Sequence, residues 1–557
     1  METRIFINHL GFLPKADKYF VVIYPKAIEF TVINRWDDRI VYQGRLQAVY
    51  GGDINEGFIG CFSQVAEEGT YIIKCGDVTS EVITIHRKPY EMALRTIYNY
   101  FPTQRCGDST TGWNAPCHLK KAEDSNTGNL IDVTGGWHQS CDTRKWIGGT
   151  VTGLLGLPEL GAYKGLKRWE NGRVSEELKW GNLYFHKMIR EDGGLMDFVS
   201  IPNDWDVKRT RILVSDDAPY VNFFTMIAGQ CKSAAYFVEE DPEYARKCVD
   251  LAMRLWNYTN SDKMKDHYSV KPFKYHDYLP YIFRKSFKGS SSYYGDRLYA
   301  LMMLYKTTGN RNFLDEASQT ADHYCSLQVG GDVDKDLAAA CFWLDSKKDD
   351  LNAASGVGVW GPIGLCMLVE EETGHVGRNR WIDTIRNIAK QAVICSDKNP
   401  WGLVPCYWYK DDAGGCRKGG SMYYKYFYTE STLVLGNNYD ILTKALFLLK
   451  GAKQTDFAGK CRQVARRQVD WILGCNPFNA STCEGVGYNQ YQILVNTDEF
   501  IPPVPQIPGG VQTGISCIPG TDSPELGVDK VTCEYDMPCT SLLMWTIKEM
   551  LEYEQND

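Results

Sequence analysis

Several features that would narrow the function at once are missing from this chain of 557 residues. There is no block of Lys and Arg, and the formal net charge is -8 with both signs interspersed. The positive stripe that a nucleic-acid backbone or an anionic membrane surface requires is therefore lacking. No uninterrupted apolar run reaches the roughly 20 residues that span a bilayer as a helix. The opening, Met1-Glu-Thr-Arg-Ile-Phe-Ile-Asn-His-Leu10, has no charged segment followed by an apolar one, which speaks against a secretory leader. Cysteine is not scarce, but the 19 residues are odd in number and scattered, unlike the dense framework of a small secreted domain. These absences lead to the expectation of a cytoplasmic protein with neither nucleic acid nor a membrane as partner.

What the chain does have is length, apolar content and aromatic rings. At 44% hydrophobic it can bury one large core and at least one smaller one, which favours two domains over one. Aromatic residues form 13% of the chain, with 15 Trp and 34 Tyr, more than an ordinary core requires. Bulky helix packing and flat platforms for sugar rings both account for that excess.

Up to about Lys88 the chain reads as short strands separated by turn signals: Ile5 to Ile7, Tyr19 to Tyr24, Ile28 to Ile33, Ile40 to Tyr42, Gly60 to Phe62, Thr70 to Lys74 and Val82 to His86. Seven such strands predict an immunoglobulin-like sandwich over residues 1–88. After Pro89 apolar residues recur at helical spacing, as in Val221 to Phe237, Pro242 to Tyr258, Ile382 to Cys395 and Cys539 to Leu551. So many helices of ordinary length predict a toroid of helical hairpins over residues 89–557. No strict repeat is visible.

The most informative stretch is Asp132-Val-Thr-Gly-Gly-Trp-His-Gln-Ser-Cys-Asp142-Thr-Arg-Lys-Trp146. Gly135 and Gly136 allow a tight turn ahead of a polar cluster. Taken alone, Asp142 is either a reactive carboxylate or a helix cap. The stretch resembles the catalytic loop of glycoside hydrolase family 9, which carries Asp-Val-Ser-Gly-Gly-Trp-x-Asp-Ala-Gly-Asp. Other segments extend the resemblance over nearly the whole chain. Ile5 to Pro14 looks like the opening strand of the immunoglobulin-like domain that precedes many family 9 domains, and Val469-Asp-Trp-Ile-Leu-Gly474-Cys-Asn476-Pro477 is similar to a family-specific Leu-Gly-x-Asn-Pro motif. The fold that the resemblance implies is an N-terminal all-β immunoglobulin-like sandwich followed by an all-α (α/α)6 barrel.

By that resemblance Asp142 is the general base. The family's other Asp, which helps hold the attacking water, is replaced by Gln139, whose amide can only donate and accept hydrogen bonds. Gln139 and Trp137 are expected to position water or substrate. The family's Pro-His-His-Arg is also missing; Ile501-Pro-Pro-Val-Pro-Gln-Ile-Pro-Gly-Gly-Val511 stands in its place, so part of the cleft must be built differently. A glycosidase further needs a proton donor with a raised pKa. Glu534, in Val531-Thr-Cys-Glu-Tyr-Asp-Met-Pro538, is the best positional match to the family's acid, with Asp536 and Glu484 as rivals. It also reads simply as an acid favouring a helix N-terminus.

Cys106, Cys117, His118 and His138 supply two thiolates and two imidazoles, the donor set of a closed zinc site. Their spacing is not that of a zinc finger, and buried thiols with satisfied imidazoles explain them equally well. The resemblance implies a structural zinc at these four positions, four residues ahead of Asp142. Some family members also bind calcium, for which no ligand set stands out. The expectation is an inverting β-glycosidase of short β-linked gluco- or glucosamine-type oligosaccharides, acting from the chain end. An endo-β-1,4-glucanase and a sugar-binding protein without catalysis are the alternatives, and oligomeric state is left open.

Overall fold

The computed structural model describes residues 2–556 apart from 51–53, 55, 109–115, 125–126, 142, 200–212, 216–217, 265–286, 353–359, 428–435, 492–506, 519 and 528–531. Asp142 thus lies outside the described residues.

The N-terminal region is two facing antiparallel sheets. One joins β1 (Arg4–Phe6), β2 (Tyr19–Ile23), β6 (Gly57–Cys61) and β5 (Gln47–Val49); the other joins β4 (Ile40–Arg45), β3 (Glu29–Asn34), β7 (Gly69–Cys75) and β8 (Val78–Thr79), with β9 (Ile83–Ile85) also on β7. Alternate residues point inward, as strand geometry dictates. Phe20, Val22, Phe30, Val32, Phe62, Tyr71 and Ile73 fill a core separate from that of the helices. All seven expected strands are present within a few residues. The short β5 and β8 carry too little period-2 pattern to stand out in sequence.

From Glu91 onward the structure is mainly helical, and twelve helices of eight or more residues occur among the described residues. They are α1 (Glu91–Tyr98), α2 (Gly153–Ala162), α3 (Arg168–Met188), α4 (Tyr220–Phe237), α5 (Pro242–Thr259), α6 (Ser291–Thr308), α7 (Arg311–Ser326), α8 (Trp360–Glu371), α9 (Arg378–Ser396), α10 (Asn438–Gly451), α11 (Ala458–Ile472) and α12 (Met537–Asn556). The even-numbered helices pack in order, α2 on α4, α4 on α6 and so on to α12, which returns to α2 and closes a ring. The odd-numbered helices pack against them: α3 on α2, α5 on α4, α7 on α6, α9 on α8, α11 on α10, and α1 on α12.

Burial follows this division. In α4 nearly every side chain is buried, whereas α5 buries one face through Tyr244, Cys248, Leu251, Leu255 and Trp256. A ring helix is enclosed on all sides and needs no polar face; a helix packed on one side keeps the amphipathic stripe.

The sandwich is fastened to the helices by polar contacts. Asn8 donates to the Asp470 carboxylate on α11 at 2.6 Å and to the Tyr90 hydroxyl at 3.0 Å. His9 stacks on Tyr488, ring centroids 3.4 Å apart. Gly474, at φ 111°, makes room for that imidazole, since a Cβ there would stand 2.1 Å from its Nε2. The Leu-Gly-x-Asn-Pro motif therefore marks a docking point. Asn476 is buried and donates to the carbonyls of Trp471 and Ala480, both at 2.7 Å.

Candidate active site

Two segments far apart in sequence meet because they precede neighbouring helices of the ring. The loop of residues 132–146 leads toward α2, and residues 532–536 lead into α12. Gly156 of α2 lies against Ser541 of α12, where a Cβ would be 2.9 Å from the Ser541 carbonyl oxygen. Across the gap Ser140 Oγ donates to Glu534 Oε1, and Gln139 Nε2 donates to Asp536 Oδ1 at 3.3 Å.

The loop is held by its backbone. Gln104 to Cys106 runs antiparallel to Gly136 to His138, with Cys106 N donating to Gly136 O and His138 N to Gln104 O, both at 2.8 Å. Gln139 N donates to Arg144 O at 3.0 Å, which ties the two ends of this part of the loop. Lys145, wholly buried, donates its ammonium to the carbonyls of Val133 and Gly135. Thr143 sits at φ 57°, an unfavourable region for a β-branched residue and the kind of strain that collects at working sites.

Trp137 requires a correction to its expected role. It is fully buried, its indole donates to Glu177 at 2.7 Å, and Phe101 and Phe185 flank its ring. A ring with no exposed surface touches neither water nor sugar; Trp137 props the loop from beneath. Gln139 does face the opposite segment. Its side chain lies over Gly149, where a Cβ would approach Gln139 Cδ to 2.3 Å.

On the other wall Thr513 N donates to Glu534 O at 2.7 Å and Asp536 N to Val511 O at 2.9 Å. Burial, with the Glu534 charge beside it, pushes the Asp536 carboxyl up to about 8. Two close carboxyl groups cannot both ionise freely, so Asp536 carries the proton near neutrality. Glu534 accepts from Ser140 and has Cys141 Sγ at 3.9 Å. Glu484 is buried too, and burial pushes its carboxyl up to about 7. Its segment pairs with residues 509 and 510 through the backbone.

Sequence reasoning missed Ser140 and also Tyr100, whose hydroxyl donates to Gln139 O at 2.6 Å. The Ser-Cys in place of the family's Ala-Gly was the available signal for Ser140. Nothing in the sequence pointed to Tyr100.

Cys106, Cys117, His118 and His138 come together as a buried group whose donor atoms all lie within 4.8 Å of one another. Cys117 Sγ is 3.9 Å from Cys106 Sγ, 3.0 Å from His138 Nε2 and 3.3 Å from His118 Nδ1. With Zn–S near 2.3 Å and Zn–N near 2.0–2.1 Å, a tetrahedral ion keeps its donors about 3.3–3.9 Å apart. The donor set and its spacing fit zinc.

Comparison with known proteins decides the family. Residues 90–495 match the model of glycosyl hydrolase family 9, and residues 1–80 match that of the cellulase N-terminal ig-like domain. The chain belongs to glycosyl hydrolase family 9. It is a glycoside hydrolase with a carbohydrate substrate, and its immunoglobulin-like region precedes the helical family 9 region. A cellodextrinase of Butyrivibrio fibrisolvens is 22% identical over 533 residues, covering 88% of this chain and 86% of that protein. Endoglucanase D of Acetivibrio thermocellus is 25% identical over 380 residues, 61% of this chain and 57% of the relative. A single mutant of a thermostable endoglucanase from Alicyclobacillus acidocaldarius superposes with a TM-score of 0.71 at 17% identity, over 98% of this chain and 99% of that one.

Proposed function

We propose that this family 9 enzyme is an inverting β-glycosidase that removes units from one end of short β-linked gluco- or glucosamine-type oligosaccharides. The observation carrying the reading is the pair of hydrogen bonds that joins the loop of Gln139 and Ser140 to the segment of Glu534 and Asp536. Inversion requires a base on one face of the sugar and an acid on the other. In this reading Asp142 takes the proton of the attacking water, and Glu534 protonates the leaving oxygen. Mutual repulsion of the Asp536 and Glu534 carboxyls holds a proton at the pair near neutral pH, and in this reading Glu534 delivers it to the leaving oxygen.

Several points support the finer assignments. The name of the cellodextrinase relative favours short glucans. The replacement of Pro-His-His-Arg by the Ile501 to Val511 stretch favours a remodelled cleft and action at a chain end. The names of the other relatives favour an endo-β-1,4-glucanase as the second reading. The closed ring of even-numbered helices, each with an odd-numbered partner, supports a barrel of six inner and six outer helices. Cys106, Cys117, His118 and His138 would hold a structural zinc, whose contribution when bound is to cross-link the strand of Cys106 to the base-bearing loop. The odd number and wide scatter of the 19 cysteines support a reducing cytoplasm.

The test is a time course on cellobiose, cellotriose and longer cello-oligomers, with chitobiose and its deacetylated form alongside. Monomer from the outset, with the remainder shortening one unit at a time, is the expected result. Mixed middle-length fragments would transfer the assignment to the endo-glucanase, and no turnover of any β-linked sugar would overturn it.

A further inference from the structure

We propose that Gln139 and Asp536 form a single positioning unit, an amide from one wall of the cleft matched to a carboxyl from the other, that sets the distance between the base-bearing loop and Glu534. The inference rests on the reading of the site as a glycosidase centre and concerns two residues that in that reading neither take the water's proton nor protonate the leaving oxygen.

Each wall has an anchor on its own side: the Tyr100 hydroxyl donates to Gln139 O at 2.6 Å, and Asp536 N donates to Val511 O at 2.9 Å. One backbone bond, Met537 N to Gln139 O at 3.2 Å, spans the gap beside the side-chain pair. What remains variable between the walls is the chemistry of the two side-chain ends. The absence of a side chain at Gly149 lets Gln139 lie in one place, because any Cβ there would strike its Cδ and Oε1 at 2.3 Å. From that place Nε2 donates to Asp536 Oδ1 at 3.3 Å. The other end of the amide, Oε1, is buried and has no hydrogen-bond partner among the described residues.

A primary amide and a carboxylic acid are complementary: the amide N–H donates to one carboxyl oxygen, and the amide oxygen can receive the acid's proton. Two carboxylates at this separation would repel, and two amides would keep a hydrogen bond but lose the ionisable group that responds to Glu534. The pair therefore calls for one group of each kind, with little preference for which wall carries which. Glu 534 sits two residues from Asp536 on the same segment and is bonded to the residue after Gln139, so a change in the pair moves the acid relative to the loop.

Exchange of the two groups tests this directly. Gln139→Glu and Asp536→Asn are isosteric, and the double variant restores one amide and one carboxyl with their sides reversed. Each single variant should lower kcat on cello-oligosaccharides by about tenfold or more with KM within about twofold, the mark of geometry lost in the transition state. The double variant should recover to within about threefold of wild type. A double variant no faster than the product of the two single losses would overturn the pairing. So would an Asp536→Asn variant that is inactive on natural oligosaccharides but normal on activated aryl glycosides, since Asp536 would then be the acid itself. If the wild type hydrolyses no β-linked sugar, the functional reading fails, and the same four proteins compared by thermal unfolding still decide the pairing. Non-additive shifts in Tm support it; additive shifts refute it.

Discussion

The two walls of the cleft are built by different means. The wall of residues 132–146 is held from behind: a backbone ladder ties it to Gln104 through Cys106, a buried Lys145 grips its carbonyls, and His138 joins the Cys and His cluster. The wall of residues 532–536 is tied through its backbone to Val511 and Thr513 and carries two carboxyl groups, one with a strongly raised pKa. In the proposed roles the first wall places a reactive group by structure, and the second tunes one by electrostatics. Disturbing the first should therefore cost metal, stability and aim, and disturbing the second should alter proton affinity and pH dependence.

The largest expected effect comes from the reactive groups themselves. Asp142→Asn should lower turnover by about a thousandfold on every substrate, because an amide cannot accept the proton of the attacking water. Glu534→Gln should match it on oligosaccharides yet be far milder on aryl glycosides that leave without protonation. Equal losses on both substrate classes would place the two walls in the same role and break the comparison.

Next in size is His138→Ala. Metal analysis should find close to one zinc per chain in the wild type and a large loss in the variant, with turnover down about tenfold. A wild type that is fully active without metal would remove the metal from the first wall's support.

A smaller effect separates the walls by pH. Burial and the neighbouring Glu534 charge push the folded pKa of Asp536 up to about 8, above the ordinary value of 3.8 that it has in the unfolded chain. Between those values the native state binds more proton than the unfolded state, so its contribution to stability falls as pH rises and is least favourable above about 8. Asp536→Asn removes this dependence. Its Tm relative to wild type should rise between pH 5 and pH 9, by roughly 1–3 °C. A constant difference across that range would mean that Asp536 is not held protonated by its surroundings.

Much of this architecture was legible in the residues. The strand Gly69–Cys75 buries alternate positions, and helices such as Pro242–Thr259 bury one face, so hydrophobic period alone located them. Gly153–Ala162 and Trp360–Glu371 escaped because they are apolar on nearly every side and interrupted by Gly or Pro. A ring helix needs no polar face, which removes the pattern that sequence reading depends on. The metal donors were legible as residue types, and only a resemblance supplied their grouping. The contact between Gln139 and Asp536 spans 397 positions. It arises from the closure of the ring, which no local pattern encodes, and Trp137 shows the converse: a residue inside a recognised motif that proves to be core.

The most direct test of the central claim is the configuration of the first product. Proton NMR during hydrolysis of a β-linked cello-oligosaccharide, recorded before mutarotation, should show the α-anomer first, because in the proposed roles Asp142 directs a water to the face opposite the bond that Glu534 protonates. An initial β-anomer would mean a covalent glycosyl-enzyme intermediate and would contradict the assignment of roles to the two walls.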